Sequence, residues 1–177
     1  MNNLEKNKQI IEICTNLKPS QKIVFSDEGN LNDIDCVVNM TKFLSRGSKP
    51  EGLWYSFGAS WFNFLTNDYD DPKKWNIWGF KRVTAISHIY KIYLDASKIL
   101  TIDTLEKLEE FDNQYNCNDQ ILWDVVSKNW SGVEIRYLPR LYDWYKSWDC
   151  SSGCIWNPNA IKKIKLLSSW ESSWQKT

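Results

Sequence analysis

The chain has 177 residues, the length of one ordinary domain able to bury roughly 70% of its unfolded surface. Lys+Arg and Asp+Glu balance at 22 each, so no overall field draws the protein toward nucleic acid or an anionic membrane. The polar start (Met1 to Lys8), the lack of an apolar run near eighteen or so residues, and five irregularly spaced cysteines (Cys14, Cys36, Cys117, Cys150, Cys154) predict no leader, no membrane span and no disulfide framework; the cytoplasm is the expected compartment.

Leu4, Ile10, Ile11, Ile13 and Leu17 predict a short helix or strand ahead of the Lys18-Pro19-Ser20 break. Gln21 to Ser26 reads as a strand ended by Asp27-Glu28-Gly29-Asn30. Residues 31–46 carry apolar side chains mostly at helical spacing, with a strand left open at Asp35 to Val38. Gly52 to Phe57 is a β-type run between two glycines, Gly52 and Gly58. Trp61, Phe62, Phe64 and Leu65 follow at helical spacing, and 66–74 is a polar loop.

Arg82 to Leu94 predicts one long strand or two abutting ones, and Ile99 to Ile102 another. Asp103 is the expected cap of a helix in which Leu105, Leu108 and Phe111 face inward, with Glu106 three residues on. A further helix is expected from Asp119 to Trp130, then a strand from Gly132 to Leu138. Tyr142 to Trp148 is a loop or short helix dense in aromatics. Gly153 to Trp156 is a strand that stops at Asn157-Pro158, and Ile161 to Leu167 closes the chain as strand or helix. With no repeat, linker or low-complexity tract, residues 1–177 read as a single α+β domain.

Two segments carry the chemistry. In the first, alternation along Leu53-Trp54-Tyr55-Ser56 puts Trp54 and Ser56 on one face and Leu53 and Tyr55 on the other. A hydroxyl beside a large π-face suits a planar ring with polar edges, such as nicotinamide or a base. The second runs from Tyr142 to Trp156 and sets an acid, a thiol, two hydroxyls and a glycine among aromatics. Small polar residues in such a loop present hydroxyls and N–H groups to a substrate, and Arg140 upstream suits a phosphate or carboxylate. The first segment also reads as an ordinary core strand with turn glycines, since a tryptophan is a large packing unit in its own right, whereas the second is hard to read as plain core.

Other chemistries have weaker support. Cys150 and Cys154 are four apart, but zinc would need two more ligands at no recognisable spacing, so no metal is expected. His88, the only histidine, sits in an apolar stretch and reads as structural rather than as a base for a cysteine. Neither common phosphate-cradle glycine motif occurs. Aromatics interleaved with lysines would suit single-stranded nucleic acid, a second choice given the charge balance.

The order of these segments resembles an ADP-ribosyltransferase, a split β-sandwich with short flanking helices. Ile23-Val24-Phe25-Ser26 stands where the first landmark strand should be. Gly52-Leu53-Trp54-Tyr55-Ser56 is similar to the strand that lines the nicotinamide pocket. Cys150 to Ile161 resembles the late loop and strand, and Ile89 to Leu100 the strand and return between landmarks. The Lys-Pro-x-Gly-Leu-Trp-Tyr-Ser and Trp-Asp-x-x-Ser-Gly-Cys-Ile-Trp strings also resemble a family of uncharacterised phage and microbial proteins.

The resemblance implies NAD or a related nucleotide as substrate, with a protein or nucleic-acid acceptor and no membrane partner. Trp54 and Tyr55 would frame the ring and Ser56 would bind its amide. Asp149 would supply the catalytic carboxylate, with Ser152 as the other catalytic candidate. Ser151 and Ser152 would orient ribose or phosphate, and Arg140 would pair with the pyrophosphate. Ser26, Trp61, Trp148, Gly153 and Cys154 complete the implied ligand-binding set. Two departures stand out: position 26 is Ser where Arg or His is usual, and Gly153 or Cys154 occupies the place of a catalytic Glu. Two alternatives follow. One is a non-catalytic module that sequesters a nucleotide. The other is a tryptophan-rich interaction domain whose Trp170-Glu171-Ser172-Ser173-Trp174 tail anchors a protein partner.

Overall fold

The computed structural model describes residues 2–27, 31, 45–67, 69, 71–136 and 139–170. Within these, ten strands run in chain order. They are β1 (Lys22–Ser26), β2 (Arg46–Gly47), β3 (Leu53–Phe57), β4 (His88–Leu94), β5 (Ile99–Ile102), β6 (Asn116–Cys117), β7 (Gln120–Leu122), β8 (Gly132–Ile135), β9 (Ser152–Ile155) and β10 (Ile161–Ser169). The helices are α1 (Asn3–Thr15), α2 (Ser60–Thr66), α3 (Ile77–Ala85), α4 (Leu105–Tyr115) and α5 (Trp123–Val126). Seven strands make one sheet in the order β10-β4-β1-β3-β9-β8-β5, and β2-β7-β6 make a small second one. All neighbours in the large sheet are antiparallel except the β5–β8 pair. The architecture is α+β.

The two faces of the large sheet differ in what covers them. On one face α1, α2 and α3 pack over Ile23 and Ile89 through Ile10, Phe62, Leu65 and Val83. Further along the same face, α4, α5 and the loop carrying Trp144, Tyr145 and Trp148 pack over Val133 and Ile135. The other face gathers Val24, Tyr55, Phe57, Tyr90, Ile92 and Ile99. Two separate aromatic layers therefore sit side by side on one face, and β3 with its partner β9 lies under the seam.

Several local expectations change. The N-terminal segment is a helix: Asn2 accepts from the Glu5 N–H (2.9 Å), and Asn7, Ile10 and Cys14 fall on one buried stripe. Arg82 to Ala85 is helical, and the strand begins only at His88. Asn76 caps α3 by accepting from Gly79 N–H (2.7 Å), and Gly79 lies so close to the Leu65 carbonyl that a Cβ would stand 2.0 Å from it. Thr104 rather than Asp103 caps α4; it accepts from Lys107 N–H, while Asp103 pairs with the Lys107 ammonium, and Leu105 is exposed.

The helix expected over 119–130 is mostly absent. Asn118 and Asp119 both have positive φ (56° and 59°) and form the two-residue turn between β6 and β7. Only Trp123–Val126 is helical. Ile161–Ser169 closes the chain as a strand. Most of the 31–46 expectation, residues 137 and 138 of the expected Gly132–Leu138 strand, and the tail beyond Trp170 lie outside the described residues.

Candidate functional site

A cavity of about 330 Å³ opens at the seam between the two aromatic layers. Its floor is small and buried because Ile23, Ser56 and Ser152 take adjacent places on β1, β3 and β9. Two serines flanked by large rings leave a hollow that leucines would have filled. Phe25 and Trp61 (ring centroids 5.2 Å apart) stand on one side, and Trp54 on the other. At the mouth Lys49 and Asp149 form an ion pair (3.2 Å) with side chains 37% and 45% exposed. The Lys49 ammonium also lies 5.6 Å from the Trp54 ring centre.

The hydrogen bonds of the floor define what it can offer. Ser56 Oγ donates to the Gly58 carbonyl (3.2 Å), and Ser152 Oγ donates to the Cys150 carbonyl (3.0 Å). Each hydroxyl has one proton and spends it on backbone, so each presents lone pairs to the cavity. The floor is thus an acceptor surface, suited to an amide or amine edge of a ligand.

The indole N–H groups separate buried rings from more exposed ones. Trp75, Trp123, Trp144, Trp148, Trp156 and Trp170 each donate Nε1 to a named oxygen, at 2.6 to 3.2 Å. All six are buried, as expected for a ring that must satisfy its polar edge inside a core. Trp54 and Trp61 are half-buried, line the cavity and make no such bond among the described residues; the exposed Trp78 and half-buried Trp130, away from the cavity, make none either.

Six of the residues singled out from the sequence border this cavity: Trp54, Tyr55, Ser56, Trp61, Asp149 and Ser152; Tyr55, however, turns its phenol to the opposite face and so cannot frame a ring beside Trp54. The others stand elsewhere. Trp148 is buried in the neighbouring layer, its indole N–H donated to Ser48 O and its ring edge-on to Trp54 (4.9 Å). Cys154 is fully buried against Pro50, and burial pushes its thiol well up. Gly153 has no room for any side chain, since a Cβ would stand 2.4 Å from the Tyr55 phenol. Ser151 faces away and takes a hydrogen bond on its carbonyl from Ser60 (2.7 Å). Ser26 holds the Ser87 N–H (2.7 Å). Arg140 is exposed and donates to the Asp149 carbonyl (3.2 Å). Trp170, the described part of the expected anchor tail, is core.

Glu134 carries no functional signal in the sequence. On the opposite face its buried carboxylate accepts from the Tyr55 hydroxyl (2.8 Å), from Thr101 (3.1 Å) and from Lys22, which forms an ion pair with it. Gly153 lies between Glu134 and Tyr55 on the intervening strand, and its missing side chain opens the path. The Lys22 ammonium rides over the Tyr55 and Phe57 rings (5.5 and 5.2 Å) to reach the acid. Burial, then the Glu134 charge, pushes the Tyr55 phenol well above its ordinary range.

The cavity holds no activated nucleophile among the described residues. Burial raises the Cys150 thiol, which keeps it protonated at neutral pH. His88 stacks on Tyr90 (5.7 Å, 10°) and contacts Ser87, away from the cavity lining. Among the described residues no group of three His, Cys, Asp or Glu side chains is arranged for a metal ion, and no helix is long and apolar enough to cross a membrane. No family model, curated protein or solved structure matches this chain.

Proposed function

We propose that this domain binds a nucleotide without transforming it, taking the flat ring of the ligand into the cavity floored by Ser56 and Ser152. The observation that carries the reading is the placing of two half-buried indoles, Trp54 and Trp61, beside a floor of two serine hydroxyls. Both keep their N–H groups free of any described partner, as do Trp78 and Trp130 away from the cavity, whereas six core indoles are satisfied. Rings at the walls and acceptors at the floor suit a heterocycle with an amide or amine edge. Lys49 at the mouth suits the phosphate that such a ring carries. A cavity of about 330 Å³ suits the ring end of NAD or a mononucleotide rather than a whole dinucleotide.

The resemblance to ADP-ribosyltransferases makes NAD the first ligand to try. The split β-sandwich of that family and a cytoplasmic setting belong to the same proposal. The α+β architecture and the direct pairing of β3 with β9, the two segments similar to family landmarks, support it. A second reading, ADP-ribosyl transfer to a protein or nucleic-acid acceptor or NAD hydrolysis, draws support from Asp149 and Ser152 lining the same cavity as Trp54. Against it, Asp149 is exposed and paired with Lys49, whereas stabilising a cationic transition state needs a carboxylate in a dry site.

Titration with NAD, AMP and nicotinamide mononucleotide, read by tryptophan emission, tests the proposal. Saturable quenching is expected, with Trp54→Ala weakening binding about tenfold, in line with loss of one ring stack. No quenching by any of the three would refute nucleotide binding, and nicotinamide release from NAD would favour the transferase reading.

A further inference from the structure

Phe57, Ser60 and Ser151 neighbour residues of the first cavity in the chain but line a second one, of about 510 Å³. Leu17 and Phe62 give it apolar walls, and Arg136 is its one charged residue. Arg136 follows directly on β8. Its N–H donates to the Ile102 carbonyl (2.9 Å), and its own carbonyl accepts from the Tyr145 hydroxyl (3.2 Å), so the backbone beneath the side chain is pinned from both sides.

The guanidinium carbon lies 3.8 Å from the centre of the Phe57 ring. A guanidinium stacked on an aromatic face keeps its five N–H donors around its edge, free for a planar oxyanion. No described acid takes them. Glu134 belongs to Lys22, Tyr55 and Thr101, and Asp103 belongs to Lys107. Among the described residues Arg136 has no ion pair. Ser60 and Thr15 spend their protons on the Ser151 and Ile11 carbonyls, while Arg136 and the Asn63 amide offer donors at this cavity.

We infer that this cavity is a second ligand site, for a small organic anion whose carboxylate or phosphate head sits on the Arg136 fork and whose apolar body rests between Leu17 and Phe62. It is independent of the nucleotide reading, because it shares no lining residue with the first cavity.

Benzoate and phenyl phosphate, titrated separately into the full chain and followed by amide and side-chain NMR, test it. Shifts are expected at Phe57, Asn63 and Arg136, and the tighter probe identifies the head group. Arg136→Gln should weaken binding by at least about tenfold, the scale of a lost charge-assisted pair, with Arg136→Lys between. Shifts confined to Trp54 and Trp61, or no shift at millimolar probe, would overturn the site. So would an Arg136→Gln protein that binds as the parent does. Should that variant fail to fold, the map on the parent chain decides.

Discussion

Two lysine–carboxylate pairs lie on opposite faces of the large sheet, and they serve opposite ends. Lys22 and Glu134 meet where the acid is 6% exposed, and Tyr55 and Thr101 donate to the same carboxylate. Lys49 and Asp149 meet in solvent at the mouth of a cavity. A buried acid with several donors is committed to the fold, since removing its lysine strands a buried charge and removing a hydroxyl loses a hydrogen bond to it. An exposed pair is held by little, because water screens both groups and competes for them. The acid that looks available in the sequence, Asp149, is the one that a ligand can rearrange; the acid with the stronger environment, Glu134, is the one that holds four strands in place.

The sharpest way to break this contrast is Glu134→Ala. Stranding Lys22 and the Tyr55 hydroxyl should cost about 3–5 kcal/mol in urea unfolding. Replacing the pair together, Lys22→Met with Glu134→Leu, should cost much less than the separate losses, and strict additivity would show that the two do not act as a unit.

A smaller effect, and a pH signature, belongs to Tyr55→Phe. Loss of its hydrogen bond to the carboxylate should cost about 1–3 kcal/mol at neutral pH. Because the phenol is raised in the folded state, the parent's stability is intact below the ordinary tyrosine range near pH 10. It falls as pH rises beyond that, where the unfolded chain ionises first. Denaturant midpoints should fall more steeply above about pH 10 in the parent than in Tyr55→Phe; parallel curves would count against the network.

The smallest stability effect is expected of Asp149→Asn, within about 1 kcal/mol of the parent. Its interest lies in the ligand. Freed of its partner, Lys49 should hold a nucleotide phosphate more tightly, so NAD titration should show a stronger complex with an unchanged melting temperature. Under the transferase reading the same substitution abolishes turnover, and the two outcomes separate the readings.

Alternation made much of the central sheet legible. The positions of β1, β3, β5, β8 and β9 follow from short apolar runs between breakers, and so does the placing of Trp54 and Ser56 on one face. What escaped was non-local or depended on turn chemistry. Asn118-Asp119 is a hairpin turn, yet Ile121, Leu122, Val125 and Val126 nearby match a helical stripe. Glu134 in Gly132-Val133-Glu134-Ile135-Arg136 has the look of a solvent-facing acid on a strand. Its burial depends on a lysine 112 positions earlier and on a glycine of the neighbouring strand. Trp54 and Trp148 are alike as letters; burial tells wall from core, and for Trp148 it comes with a partner for the indole N–H.

The outer strand β10 completes the picture of how this sheet ends. Its register with β4 shifts twice, between Ile161 and Lys163 and again between Leu166 and Ser168, and Lys162, Lys163 and Lys165 stand exposed along it. Irregular spacing spoils the template that a straight strand offers to a stranger, and repeated ammonium groups repel a second copy laid alongside. Among the described residues, this border is a poor template for extending the sheet from one molecule into the next.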